Sequence, residues 1–262
     1  MVVTDAKRIV VKVGTSTLTH KTGHINIRLI EQLVKVLADI KNSGREIILV
    51  TSGAIGVGVG KLGLPERPSD IPGKQAAAAV GQCELMYLYD KYFSEYNHTV
   101  GQVLLTRYTV DGTEARENAK NTFNALLRMK AIPVVNENDT VATDEIRVGD
   151  NDTLSAMVAE ITEADALVIL SDIDGLYTAN PSVDKNATLV HRVEAIDDAL
   201  MNTAGGAGSS RGTGGMITKL YAARIATQAG TDMYIINGKN PDNLYRLLEG
   251  ETIGTHFVSV KK

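Results

Sequence analysis

Apolar residues along the chain fall into short, unbroken runs that alternate with longer amphipathic stretches. Residues 8–13 (RIVVKV), 46–51 (EIILVT), 100–106, 132–135, 166–170 (ALVIL), 233–236 and 257–260 read as strands. Runs of β-branched residues without polar alternation predict strands buried on both faces. Residues 26–43 carry Ile27, Ile30, Leu33, Val34, Leu37 and Ile40 on one helical face, and Gly44 stops that helix. Further helices are predicted over 75–92, 114–130, 216–229 and 241–248, and from Asn151 onward. Pro65, Pro68 and Pro72 mark a loop, and residues 182–192 are less regular. Buried strands alternating with helices imply an α/β fold with a mostly parallel sheet covered on both faces. No linker or internal repeat divides the chain, so one domain is expected over residues 1–262.

Acidic and amide groups are densest over residues 132–160 (IPVVNENDTVATDEIRVGDNDTLSAMVAE). A buried strand there breaks into a polar loop and resumes as a helix. Asp150, Asn151 and Asp152 occupy that helix's cap and first turn, where short polar side chains satisfy free backbone N–H groups. Capping accounts for one or two of the three. It leaves Asn136 and Asp139, placed where a strand ends, without a purpose. Ligands of open α/β sheets bind outside the carboxyl ends of the strands, so this stretch is a candidate ligand site.

The composition narrows the function classes. A formal net charge of −4 gives no basic face for a nucleic acid, although a nucleotide needs only a few local cations. The single cysteine, Cys83, excludes an intrachain disulfide and fits a reducing compartment. It lies on an apolar helical stretch and is expected in the core. Asp5, Lys7 and Arg8 interrupt the N-terminal apolar residues, so a signal peptide is not expected. No run reaches the roughly 18 apolar residues of a membrane span. A cytoplasmic protein without membrane or nucleic-acid partners is the expectation.

Two stretches invite a phosphate reading. Gly58-Val59-Gly60-Lys61-Leu62-Gly63 matches the letters of a dinucleotide fingerprint. That fingerprint must turn directly from a strand into a helix, whereas here the strand ends by Ser52 and Pro65 follows the last glycine. A dinucleotide oxidoreductase is therefore not expected, and no P-loop motif occurs. The run 204–215 (AGGAGSSRGTGG), followed by Met216, Ile217, Thr218 and Lys219, is the better candidate. Small residues let backbone N–H groups approach an anion, and a helix N-terminus favours negative charge. Lys12, the one charged residue inside a buried strand, either snorkels or faces an anion at the strand end. The five histidines are scattered through loops and ends and suggest no zinc site.

The segments VVKVGTSTL (10–18), VTSGAIGVG (50–58), VVNENDTVATDEIRVGDNDTLSA (134–156), SDIDGLYTANP (171–181) and GTGGMITK (212–219) together resemble the amino acid kinase family, in order and over nearly the whole chain. The resemblance implies a three-layer αβα fold, with the amino acid bound mainly by the N-terminal half and ATP mainly by the C-terminal half. It implies ATP-dependent phosphorylation of the side-chain carboxylate of L-glutamate, with Mg²⁺ carried by the nucleotide. Lys12 and Lys219 would stabilise the transferring phosphoryl group and Asp152 would orient them. Ser52, Asp139 and Asn151 would hold glutamate. Ser171, Asp172, and the segment Thr213, Gly214, Gly215, Met216, Ile217, Thr218 and Lys219 would contact ATP, with Lys12 beside them. Proline is expected to inhibit, and a homo-oligomer is expected. Two departures stand out: Arg147 occupies a position where relatives often carry lysine, and the chain ends near Lys262 without the C-terminal PUA domain of many relatives. The alternatives are a kinase for N-acetylglutamate, aspartate, carbamate or UMP, or a non-catalytic amino-acid sensor on the same fold.

Overall fold

A computed structural model describes residues 3–20, 24–106, 113–141, 151–205 and 215–260. Eight strands, β1 (Arg8–Val13), β2 (Glu46–Val50), β3 (Val100–Leu105), β4 (Ile132–Glu137), β5 (Ala166–Ser171), β6 (Arg192–Val193), β7 (Asp232–Asn237) and β8 (Thr255–Phe257), form one sheet in the order β3-β4-β2-β1-β5-β7-β8-β6. Every pairing is parallel except β7 with β8. The chain moves outward from β1 to one side through β2–β4, then returns to β5 on the other side. The strand order thus reverses beside β1, and the carboxyl ends of β1, β2 and β5 open where ligands bind in such sheets.

Helices cover both faces. On one lie α2 (Ile27–Asn42), α3 (Ala54–Lys61), α4 (Ile71–Ser94) and α9 (Asn243–Leu248), packed on Ile9, Val11, Val13, Val134 and Val168. On the other lie α5 (Thr113–Arg128), α6 (Asn151–Ile161), α7 (Asp198–Gly205) and α8 (Met216–Gln228), packed on Val10, Val50, Val135 and Ile169. A short turn of helix, α1 (Thr15–Leu18), follows β1. Alternation along β1 puts Lys12 on the same side as Val10, facing α6 and α8. The same alternation along β4 puts Asn136 on the side of Ile132 and Val134, facing α4.

Most predicted elements are present, with differences that have physical causes. Pro72 does not sit in a loop but in the first turn of α4, where a missing N–H costs nothing, and the Asp70 side chain caps the helix by accepting from Gly73 N at 2.9 Å. Strand β4 runs on through Asn136 and Glu137, both buried, because β3 pairs with it as far as Leu105↔Glu137. Helix α3 was not expected, since three glycines in eight residues disfavour a helix. Packing overrides that preference. A Cβ on Gly58 would sit 1.8 Å from Ala77 O, and one on Gly81 1.8 Å from Ala54 O, so α3 and α4 touch backbone to backbone. Gly53 (φ 92°) turns the chain from β2 into α3 in a left-handed conformation that glycine tolerates. Gly58 therefore belongs to helix packing. Cys83 is exposed rather than in the core, because α4 turns its Gln82–Leu85–Tyr89 side inward and Cys83 points away.

Candidate active site

The buried carboxylate of Asp152, in the first turn of α6, is the centre of the site. Lys12 Nζ, from β1, lies 2.7 Å from Asp152 Oδ1, and Lys219 Nζ, from α8, lies 3.0 Å from Oδ2. Thr218 Oγ1 also reaches Oδ2 at 3.0 Å. Burial alone would raise the Asp152 pKa, but the two ammonium groups win and hold it at about 2. All three charged groups are at least nine-tenths buried. Two cations share one carboxylate there, an arrangement suited to receiving a further anion. Buried ion pairs return little net stability against the loss of hydration, so this cluster is weak evidence of a folding role.

A second cluster borders the first through Asn151, the residue before Asp152. Asn151 Nδ2 donates to Thr51 O (2.7 Å) and to Asn136 Oδ1 (2.8 Å). Asn136 Oδ1 also accepts from Glu137 N (2.9 Å), and Asn136 Nδ2 donates to Gln82 Oε1 (2.7 Å). Thr51 Oγ1 and Tyr89 OH are 2.8 Å apart beneath this network. Asp139, just past β4, is buried, and the loss of hydration raises its pKa to about 6, against a smaller opposing pull from the Arg67 guanidinium. Its Oδ1 has no hydrogen-bond partner among the described residues.

The other candidates lie around these clusters. Ser52 is buried at the end of β2; its Oγ donates to Val13 O (3.0 Å) and accepts from Thr15 Oγ1 (3.3 Å). Ser171, buried at the end of β5, donates to Asp172 Oδ1 at 3.3 Å, while Asp172 itself is exposed. Gly215 is the N-cap of α8, and Met216, Ile217 and Thr218 form its first turn ahead of Lys219. Thr213 and Gly214 lie outside the described residues, as do Asp144, Glu145, Arg147 and Asp150. Lys12, Asp152 and Lys219 are brought into direct contact, and Asn151 joins them to Asn136. Sequence reasoning missed Gln82. It sits in an alanine-rich apolar run, and its one signal is a polar carboxamide on the buried side of a helix.

The chain matches the amino acid kinase family over residues 7–237. It belongs to the amino acid kinase family. Among its relatives, the glutamate 5-kinase of Clostridium perfringens is 53% identical over 98% of this chain and 97% of its own length. The glutamate 5-kinase of Listeria monocytogenes is likewise 53% identical over 98% of this chain and 95% of its own length. Among solved structures, the UMP kinase of Bacillus anthracis superposes with a TM-score of 0.64 at 16% identity, over 98% of this chain and 97% of that one. The isopentenyl phosphate kinase of T. acidophilum superposes with a TM-score of 0.60 at 17% identity, over 95% and 99%. Those two structural likenesses bear on the fold, which this chain shares as a member of the family.

Proposed function

We propose that this amino acid kinase transfers the γ-phosphoryl group of ATP to the side-chain carboxylate of L-glutamate, giving ADP and L-glutamyl 5-phosphate, the first step of proline synthesis. The observation that carries the reading is the buried Lys12–Asp152–Lys219 contact placed one residue from the amide cluster. One end suits phosphate and the other suits the polar head of an amino acid. The two relatives at 53% identity over nearly the whole chain support the same substrate.

A γ-carboxylate with an unperturbed pKa near 4.3 is already ionised at neutral pH, so its oxygen attacks phosphorus without a general base. The new bond joins that oxygen to the γ-phosphorus, the bridge to the β-phosphate breaks, and ADP leaves with the electron pair. The obstacle is bringing an anion to a polyanion. Lys12 and Lys219 meet the charge that spreads over the phosphoryl oxygens, and Asp152 fixes both ammonium groups before substrate arrives. Ser171, Asp172 and the segment 213–219, including the N-terminus of α8, take the nucleotide. Ser52, Asp139 and Asn151 take glutamate, with the Asp139 carboxylate on the α-ammonium. Substrate and nucleotide thus divide one domain between its N-terminal and C-terminal halves. Among the described residues no group of three His, Cys, Asp or Glu side chains forms a metal cage. A Mg²⁺ ion carried by the nucleotide phosphates would share in neutralising their charge.

Proline shares the α-carboxylate and a secondary ammonium with glutamate but has no side-chain carboxylate. It fills the amino-acid end without a nucleophile and inhibits in competition with glutamate. Initial velocities at several proline concentrations should converge at saturating glutamate; inhibition that saturating glutamate leaves intact places proline elsewhere. The substrate assignment is tested by coupled ADP release with glutamate, N-acetylglutamate, aspartate, carbamate and UMP. Turnover is expected with glutamate, and turnover with another compound alone would overturn it.

A further inference from the structure

Three buried side-chain atoms around the amide cluster lack a hydrogen-bond partner among the described residues: Gln82 Nε2, Asn151 Oδ1 and Asp139 Oδ1. They are one donor and two acceptors. An unmatched polar atom sealed from water is costly; Gln82 Nε2 and Asn151 Oδ1 end one network, Asp139 Oδ1 lies just past β4, and together they point to a ligand that completes them.

The polarity of the network is not free to reverse. Thr51 O can only accept, so the Asn151 group facing it is Nδ2. Glu137 N can only donate, so the Asn136 atom facing it is Oδ1, which also takes Asn151 Nδ2. Asn136 therefore turns its NH₂ toward α4, and Gln82 must answer with Oε1. The Nε2 donor of Gln82 is left over by this chain of constraints, from the Thr51 carbonyl to the far amide. Asn151 Oδ1 is left over in the same way at the other end.

An α-amino acid brings the complement: an ammonium for the acceptors Asp139 and Asn151, and a carboxylate for a donor. We infer that Gln82 is a specificity-determining contact, its Nε2 donating to the α-carboxylate of the bound amino acid. The inference rests on the glutamate reading above. The γ-carboxylate belongs at the lysine pair, whereas Gln82 is tied through Asn136 to the amide end, where the α-ammonium binds. The α-carboxylate shares its carbon with that ammonium and is the anion within reach.

The test compares L-glutamate with its α-amide, which keeps the ammonium and the γ-carboxylate but replaces the α-carboxylate with a neutral carboxamide. Wild type, Gln82→Glu and Gln82→Met are assayed at pH 7, where the α-amide is still mostly an ammonium and Asp139 mostly a carboxylate, for kcat and KM, with Ki of the α-amide where its turnover is too slow. ATP binding without glutamate checks folding. In Gln82→Glu the carboxylate still accepts from Asn136 but presents an anionic oxygen in place of the NH₂. Both variants should raise KM for glutamate about 10- to 100-fold, with kcat and binding of the α-amide changed by no more than a few fold. The preference for glutamate over its α-amide then collapses. A parallel loss on both compounds, or no loss, overturns the assignment and leaves Gln82 as packing. A wild-type enzyme that turns over neither compound overturns the glutamate reading, and this assignment with it.

Discussion

The two halves of the site treat a buried aspartate in opposite ways. Asp152 sits between two lysines that hold its pKa at about 2, while Asp139, thirteen residues earlier, is pushed up to about 6 by burial, against a smaller opposing pull from Arg67. At the first, charge is assembled in advance, which is how an enzyme stabilises a transition state without reorganising. At the second, an acceptor, an amide oxygen and an amide donor are left unmatched. On the proposed function this difference divides the labour: the lysine end serves the reaction, and the amide end is completed by the substrate.

The sharpest way to break this contrast is at Lys219. Lys219→Ala should lower kcat by roughly 10²–10³ while moving KM for glutamate much less, because its contact matters most as charge develops on the phosphoryl group. Steady-state kinetics with normal kcat and weakened glutamate binding would place Lys219 at the wrong end. Asp139→Ala should do the reverse. Glutamate affinity should fall roughly 10- to 100-fold, by the strength of a charged hydrogen bond, while ATP binding without glutamate persists. Calorimetry showing equal losses for both ligands would mean that the site had collapsed as a whole.

The contrast also sets opposite pH dependences of stability. A carboxylate whose folded pKa is raised binds its proton more readily when folded, so between about pH 4 and pH 6 stability falls as pH rises. Asp139→Asn should then stabilise the ligand-free protein at pH 8, by at most about 3 kcal/mol on the size of that shift. The gain should vanish near pH 4, and thermal melts at the two pH values check it. Glutamate binding in the wild type should weaken as pH drops through about 6 and Asp139 takes up a proton. For Asp152 the sign reverses: its contribution is present above the unfolded carboxylate pKa near 3.8 and disappears as pH falls towards 2. The smallest effect expected is at Ser52→Ala. That serine already donates to Val13 O, so its loss should cost about 1 kcal/mol of stability and a modest rise in KM for glutamate. Denaturant melts and the same kinetic assay measure both.

How far the sequence discloses this site depends on what each residue breaks. Lys12 interrupts a run of buried valines, and Asn151 and Asp152 exceed what a helix cap needs, so each shows against its background. Lys219 follows a glycine run of the kind that suits an anion site. Their meeting on one carboxylate is a consequence of strand order and could not be read from spacing alone. Gln82 is concealed because its neighbours spell an ordinary apolar helix, and its partner Asn136 is fifty-four positions away. Helix α3 is concealed for the opposite reason. Its glycines argue against a helix locally, and the backbone contact with α4 that requires Gly58 is a tertiary fact. The sheet was legible because strands buried on both faces leave no polar alternation to misread.

The central claim, that a carboxylate is phosphorylated at the junction of these two clusters, has a direct chemical signature. An acyl phosphate is captured by hydroxylamine as a hydroxamate. With glutamate, ATP and Mg²⁺ the protein should form γ-glutamyl hydroxamate in step with ADP. ADP release that proceeds without glutamate, or that leaves no hydroxamate, would contradict the account.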